Sequence, residues 1–91
     1  MFIKIPSDAP ENYGSVTKTV SRSGDRQGRF FLPVSWISGR VIVYHIPTKE
    51  YTNEKRVISH ANTGVIYTSK TWIGDEVIAF LVVPPAPNIS I

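Results

Sequence analysis

The sequence predicts an all-β fold with one or two short helical turns, in which two copies of one strand–turn–strand unit interleave about a pseudo-twofold axis. Three observations lead there. First, sliding the chain by 36 positions lays residues 28–46 on residues 64–82 and matches Gly28 with Gly64, Trp36 with Trp72, Ile37 with Ile73, Val41 with Val77 and Ile42 with Ile78. Such a window gives roughly one identity by chance. Second, each copy reads as an apolar, β-favouring run, a short segment holding the Trp-Ile pair, and a second β-branched run. Third, residues 41–46 and 77–82 are apolar on both alternating faces. Strands of that kind need cover on both sides, which one unit alone cannot supply.

Taken in order, residues 1–14 begin with Met1, Ile3 and Ile5 on one face and continue through the turn-rich Pro6–Gly14 stretch. They predict an edge strand or a loose arm. Residues 16–23 alternate Val16, Lys18 and Val20 with Thr17, Thr19 and Ser21, the pattern of one largely solvent-facing strand. Gly24-Asp25 then breaks it, and Phe30-Phe31-Leu32 forms the next strand up to Pro33. Residues 34–39 suit one helical or 3₁₀ turn. Residues 41–46 close the first repeat, which spans 15–47.

Residues 47–54 are polar and mixed in charge, a linker loop of ordinary length. The second repeat, 51–84, has a shorter opening strand, 55–60, and one residue fewer in its turn. Asn62-Thr63-Gly64 is the candidate for the positive-φ positions of that turn. Pro84, Pro85 and Pro87 stop the last strand, so 85–91 predicts an extended tail. Together these make one domain over residues 1–91.

Composition excludes several classes of chemistry. There is no cysteine, hence no disulfide and no thiolate. His45 and His60, the only histidines, fit no metal-ligand spacing, and His45 reads as a core or rim histidine with satisfied partners. No phosphate loop or nucleophile elbow is present, and Asp75 and Glu76, being adjacent, point to opposite faces of a strand. The expectation is a protein that is not an enzyme, with no cofactor, metal or small-molecule substrate. No segment has the apolar length to span a bilayer and the N-terminus lacks a signal-peptide pattern, so a cytoplasmic protein is expected.

The combination of Ser23-Gly24, the run Gly28-Arg29-Phe30-Phe31-Leu32-Pro33, and Trp36-Ile37 with Gly39 resembles the AbrB-like swapped-hairpin family. In the second copy Gly64, Trp72, Ile73, Gly74, Asp75 and Val77 carry the likeness. It is nearest to small proteins of archaeal transposons and viruses with a Leu-Pro-x-x-Trp-Ile-Gly signature, and it covers about two thirds of the chain. This sequence departs from the pattern at Ser38, which interrupts the first Trp-Ile-Gly, and at Ser69 and Ala61, where the second copy lacks the proline and the turn glycine. The resemblance implies a tandem swapped-hairpin barrel, double-stranded DNA as partner, and transcriptional regulation.

Charge points to the same partner. The first repeat holds Lys18, Arg22, Arg26, Arg29 and Arg40 against Asp25 alone, whereas the second balances Lys55, Arg56 and Lys70 against Glu54, Asp75 and Glu76. Arginine's fork can engage phosphates or guanine edges, and Gln27 can read adenine. The candidate DNA-binding residues are therefore Lys18, Arg22, Arg26, Gln27 and Arg29, with Arg56 and His60 as weaker contacts from the second repeat. Self-association into a homodimer stays open. So does the alternative of a protein-interaction module that works through its termini and sheet edges, around a scaffold decorated with charge for solubility.

Overall fold

The computed structural model describes residues 5–86, and the expectations for residues 1–4 and for the tail from 87 to 91 lie outside it. Short β-branched runs punctuated by Gly, Pro and Ser give β1 (Ser15–Thr19), β2 (Ser21–Ser23), β3 (Gln27–Leu32), a 3₁₀ turn (Val34–Trp36) and β4 (Arg40–His45). Then follow β5 (Glu50–Tyr51), β6 (Lys55–Arg56), β7 (Ile58–His60), β8 (Thr63–Ser69), a second 3₁₀ turn (Lys70–Trp72) and β9 (Glu76–Val83). All described ladders are antiparallel. They form sheet I, in the order β1-β9-β4-β5 with β6 also on β4, and sheet II, in the order β2-β3-β8-β7.

The 36-residue register of the sequence reappears in the pairing. In sheet II, Phe30 sits opposite Ile66, and in sheet I, Val43 sits opposite Ala79. Each of these residues thus pairs with its own counterpart, and the other pairs of the two central ladders map onto one another when the halves are exchanged, except at one end of each, Gln27 with Ser69 and Arg40 with Val83. The outer ladders obey the same exchange. Lys18 faces Val77 as Lys55 faces Val41, and Arg22 faces Gly28 as Ser59 faces Gly64. Each half supplies β-strands to both sheets and pairs them with the other half.

Two expectations are corrected here. The predicted barrel is absent: the strands form two facing sheets that do not close into one. The reason lies in residues 16–23, which are two strands and not one. Val20 leaves the ladder as the chain crosses from sheet I to sheet II. Its N–H donates to the Asp75 carbonyl (2.9 Å) and its carbonyl accepts from Gly74 N–H (2.8 Å). Val57 makes the equivalent crossing, donating to Gly39 O (2.9 Å) and accepting from Ser38 N–H (2.9 Å). The two sheets are stitched at these corners by single residues, and no continuous ladder runs around them.

The core lies between the sheets. Sheet I contributes Val41, Val43, Val77, Ala79 and Leu81, sheet II Phe30, Leu32 and Ile66, and the corners Val20 and Val57. Both crossing valines are 1% exposed. They lie over Gly28 and Gly64, where an added Cβ would stand 2.5 Å from Val20 Cγ1 and 2.8 Å from Val57 Cγ1. The shared glycine of the repeat is thus a matter of room: no larger residue fits beneath the corner. Trp36 and Trp72 hold equivalent places, each half-buried against this core.

Sheet I is covered on its other face too, though not by the other half of the molecule. Ile78 and Phe80 point away from sheet II yet are 1% and 0% exposed. Residues 5–14 lie on that side without forming a strand, and the face shared by Met1, Ile3 and Ile5 falls mostly outside the described residues. The segment is fixed by Tyr13 N–H to Leu81 O (2.8 Å) and Leu81 N–H to Gly14 O (2.9 Å). The linker joins in: β5 pairs with β4, and the Tyr51 ring lies 4.8 Å from that of Tyr44. Tyr51 Oη donates to Asp8 (2.8 Å). Burial of the phenol, and then this hydrogen bond to a carboxylate, push Tyr51 from 10.0 up to about 12. The second turn also differs from expectation. Its positive φ values are at Ala61 (48°) and Asn62 (64°), the two central positions of a two-residue hairpin turn, whereas Gly64 lies within β8.

Candidate nucleic-acid interface

Among the described residues, no strand of the arm or linker pairs with sheet II, and on its outer face Val65 is nonetheless 0% exposed. Alternation along β3 buries Gly28, Phe30 and Leu32 and turns Gln27, Arg29 and Phe31 outward. Register extends this face. Ser21, Arg29 and Tyr67 form one row, Ser23, Gln27 and Ser69 a second, and Phe31, Val65 and Ile58 a third, while His60 sits opposite Thr63 near the far edge. Phe31 and Tyr67 are counterparts under the exchange of halves, as are Arg29 and Val65. One half of the face is therefore polar and cationic, and its mate is apolar.

Arg29 lies flat across this face. Its guanidinium carbon is 5.0 Å from the centroid of the Phe31 ring, within cation–π range, and its Nε is buried with no hydrogen-bond partner. The neighbouring Ser21 hydroxyl donates to the Arg29 carbonyl (3.2 Å) and ties β2 to β3. Arg26 stands exposed in the β2–β3 turn. Arg22 is exposed in β2 but shares its parity with Gly28, so it leaves the strand on the side opposite Arg29.

The predicted residues therefore do not form one patch. Gln27 and Arg29 share the outer face with Ser21 and Ser23, and His60 lies on the same face at the far edge. Lys18 and Arg56 belong to sheet I, on β1 and β6 at its two opposite sides, and Arg56 faces Arg40 across the β4–β6 ladder. Among the described residues, none of the predicted cations forms an ion pair, whereas Arg40 approaches Glu54 at 3.8 Å.

Exchange of strands between the halves divides the first repeat's positive excess between the layers: Arg22, Arg26 and Arg29 go with sheet II, and Lys18 and Arg40 stand in sheet I. Sheet II with its turns carries Arg22, Arg26 and Arg29 against Asp25 alone. Sheet I with its arm and linker sets Lys18, Arg40, Lys49, Lys55 and Arg56 against Asp8, Glu11, Glu50, Glu54 and Glu76. The outer face of sheet II holds no carboxylate at any of its register positions.

The other concentration of polar chemistry is His45, 3% exposed and on the inner face of β4. Its Nε2 meets Asp75 Oδ2 at 2.8 Å, its Nδ1 meets the Thr48 hydroxyl at 2.7 Å, and its ring stacks on Trp72 with centroids 4.1 Å apart and planes 2° from parallel. The expected satisfied core histidine is what the structure contains. Its partners, Asp75 and Thr48, are 30 and 3 residues away, and only the Trp72–Asp75 spacing on one short turn hinted at them. Among the described residues no group of three or more His, Asp or Glu side chains is placed to hold a metal ion, and no helix is long and apolar enough to cross a membrane. No protein-family model, no curated protein and no solved structure matches this chain.

Proposed function

We propose that this protein binds double-stranded DNA through sheet II, with the β2–β3 hairpin as the principal contact. The observation that carries the reading is the segregation of charge by layer. Sheet II and its hairpin turn bear Arg22, Arg26 and Arg29 with hydrogen-bonding side chains against Asp25 alone, while Asp8, Glu11, Glu50, Glu54 and Glu76 belong to sheet I with its arm and linker. A polyanion approaching sheet II meets Arg26, Arg29, Gln27, Ser21 and Ser23 directly, with Arg22 and Lys18 at the flank and His60 and Arg56 at the far side. Arginine supplies phosphate affinity, and Gln27 supplies a base-reading amide. The exchange of strands between repeats supports kinship with AbrB-like swapped hairpins, here as two sheets within one chain. By that likeness the role is transcriptional regulation in an archaeal mobile element or virus, in the cytoplasm, by a protein without catalytic activity.

The test is duplex binding measured against salt. If about four phosphates are neutralised, log affinity falls with log salt with a slope of roughly −3 to −4. Replacing Arg22, Arg26 and Arg29 together by alanine flattens the slope to roughly −1. An affinity that is indifferent to salt in the unaltered protein overturns the reading. A second reading, docking of another protein or a second copy, is favoured by Ile58, 44% exposed beside the fully buried Val65. It predicts that Ile58→Asp abolishes association while the triple arginine variant retains it.

A further inference from the structure

We infer that His45 is a positioning residue for the basic hairpin, acting through Asp75 on the corner at Val20. The inference rests on the nucleic-acid reading only for its functional consequence. Its structural half stands on geometry.

The chain of contacts is short. His45 Nε2 holds the Asp75 carboxylate at 2.8 Å. The backbone of the same Gly74-Asp75 turn clamps Val20 from both sides, through Asp75 O and Gly74 N–H, at 2.9 and 2.8 Å. Val20 is the residue immediately before β2, so whatever fixes this turn fixes the root of the hairpin that carries Arg22, Arg26 and Arg29. The other half provides an internal control. There Val57 is clamped by Gly39 O and Ser38 N–H, but the counterparts of His45 and Asp75 are Leu81 and Gly39, and no side-chain tether exists. The basic hairpin has a side-chain anchor at its corner, and the His60-bearing hairpin has none.

The tether also accepts either charge state of the imidazole. A carboxylate only accepts, so Nε2 carries a proton toward Asp75. The Thr48 hydroxyl can donate to a bare Nδ1 or accept from a protonated one, so protonation leaves no polar atom unpaired.

The experiment compares amide hydrogen exchange at Val20 and Val57 in the full chain, in His45→Leu and in His45→Gln. Leucine is tolerated because Leu81 fills the equivalent place, and glutamine keeps a donor toward Asp75. Losing a charge-assisted hydrogen bond speeds Val20 exchange by about tenfold or more relative to Val57 in His45→Leu, and His45→Gln recovers part of it. Equal acceleration at both amides, or at neither, overturns the positioning role. Duplex binding then serves as a separate readout, with His60→Gln in every arm to remove the exposed histidine. His45→Leu weakens it by roughly fivefold or more. Unchanged affinity alongside a loosened Val20 severs the corner from binding, and absence of duplex binding in the unaltered chain defeats the nucleic-acid reading while leaving the exchange result intact.

Discussion

The corner at Val20 and the corner at Val57 are the same construction with different furniture. Both bury a valine at 1% exposure, both place it over a glycine, and both hold it by a pair of backbone hydrogen bonds to the turn that follows a tryptophan. Around the first stand His45, Asp75 and a three-residue hairpin turn containing Gly24, with arginines beyond. Around the second stand Leu81, Gly39 and a two-residue turn, Ala61-Asn62, leading to Ile58 and His60. Backbone hydrogen bonding and van der Waals room are common to the two, so these build the fold. Charge, tethering and turn chemistry differ, so these are where function is placed.

The strongest way to break this comparison is to fill the space under the corners. Gly28→Ala puts a Cβ 2.5 Å from Val20 Cγ1 and 2.7 Å from Thr68 Oγ1, and Gly64→Ala puts one 2.8 Å from Val57 Cγ1 and 3.3 Å from two carbonyl oxygens. Overpacking of this kind costs about 1–3 kcal/mol. Urea unfolding should show a loss of that size for both, with Gly28→Ala the larger because its nearest contact is shorter. If either substitution is neutral, that corner is not packed as its mate is.

A smaller effect sharpens the comparison at the turns. Gly24 holds φ of 68° and Ala61 φ of 48°, a region that costs a residue with a Cβ about 1 kcal/mol. Gly24→Ala should therefore destabilise by about 1 kcal/mol and Ala61→Gly should stabilise by up to a similar amount. Thermal unfolding reads both, and a loss from Ala61→Gly would mean the second turn has another source of order.

The smallest effect concerns the layer that covers sheet I. Tyr51 is pushed up to about 12 from an ordinary 10.0. A group whose folded value is raised contributes its stability below the unfolded value and loses it as pH climbs through the folded one. The contribution is thus complete below about pH 10 and is lost by about pH 12. Titration of tyrosinate absorbance should show one late-ionising tyrosine, and Asp8→Asn should bring it earlier by removing the carboxylate acceptor, with no measurable change near neutrality.

Much of the architecture was legible in residue order. The 36-residue repeat, the all-β character, the helical turn at each tryptophan and the need for cover on both faces of β4 and β9 all came from spacing and alternation. What was not legible has a common cause. A buried valine at a crossing sits in the same alternation as a buried valine in a strand, so Val20 and Val57 read as strand interior, and the closed barrel was implied by the family resemblance alone. Apolar faces announce that they need cover without naming it, and residues 5–14 hold too few apolar residues to advertise that role. The positive excess of the first repeat was legible, but nothing in Arg40 or Lys18 reveals that its strand pairs in the sheet opposite to the one that carries Arg22 and Arg29. The candidate site was legible as a list of arginines but not as a surface, since Arg22 and Arg29 leave neighbouring strands in opposite directions.

The central pairs, Phe30 with Ile66 and Val43 with Ala79, bring each residue against its own twin. A peptide holding one repeat could complete those ladders only by meeting another of its kind, and every residue would then have to suit its own image. Covalent union of the two lifts that restriction: Arg29 can stand where its sibling is Val65, and His45 where its sibling is Leu81. Asymmetry becomes open to selection within an architecture that remains symmetric in its backbone.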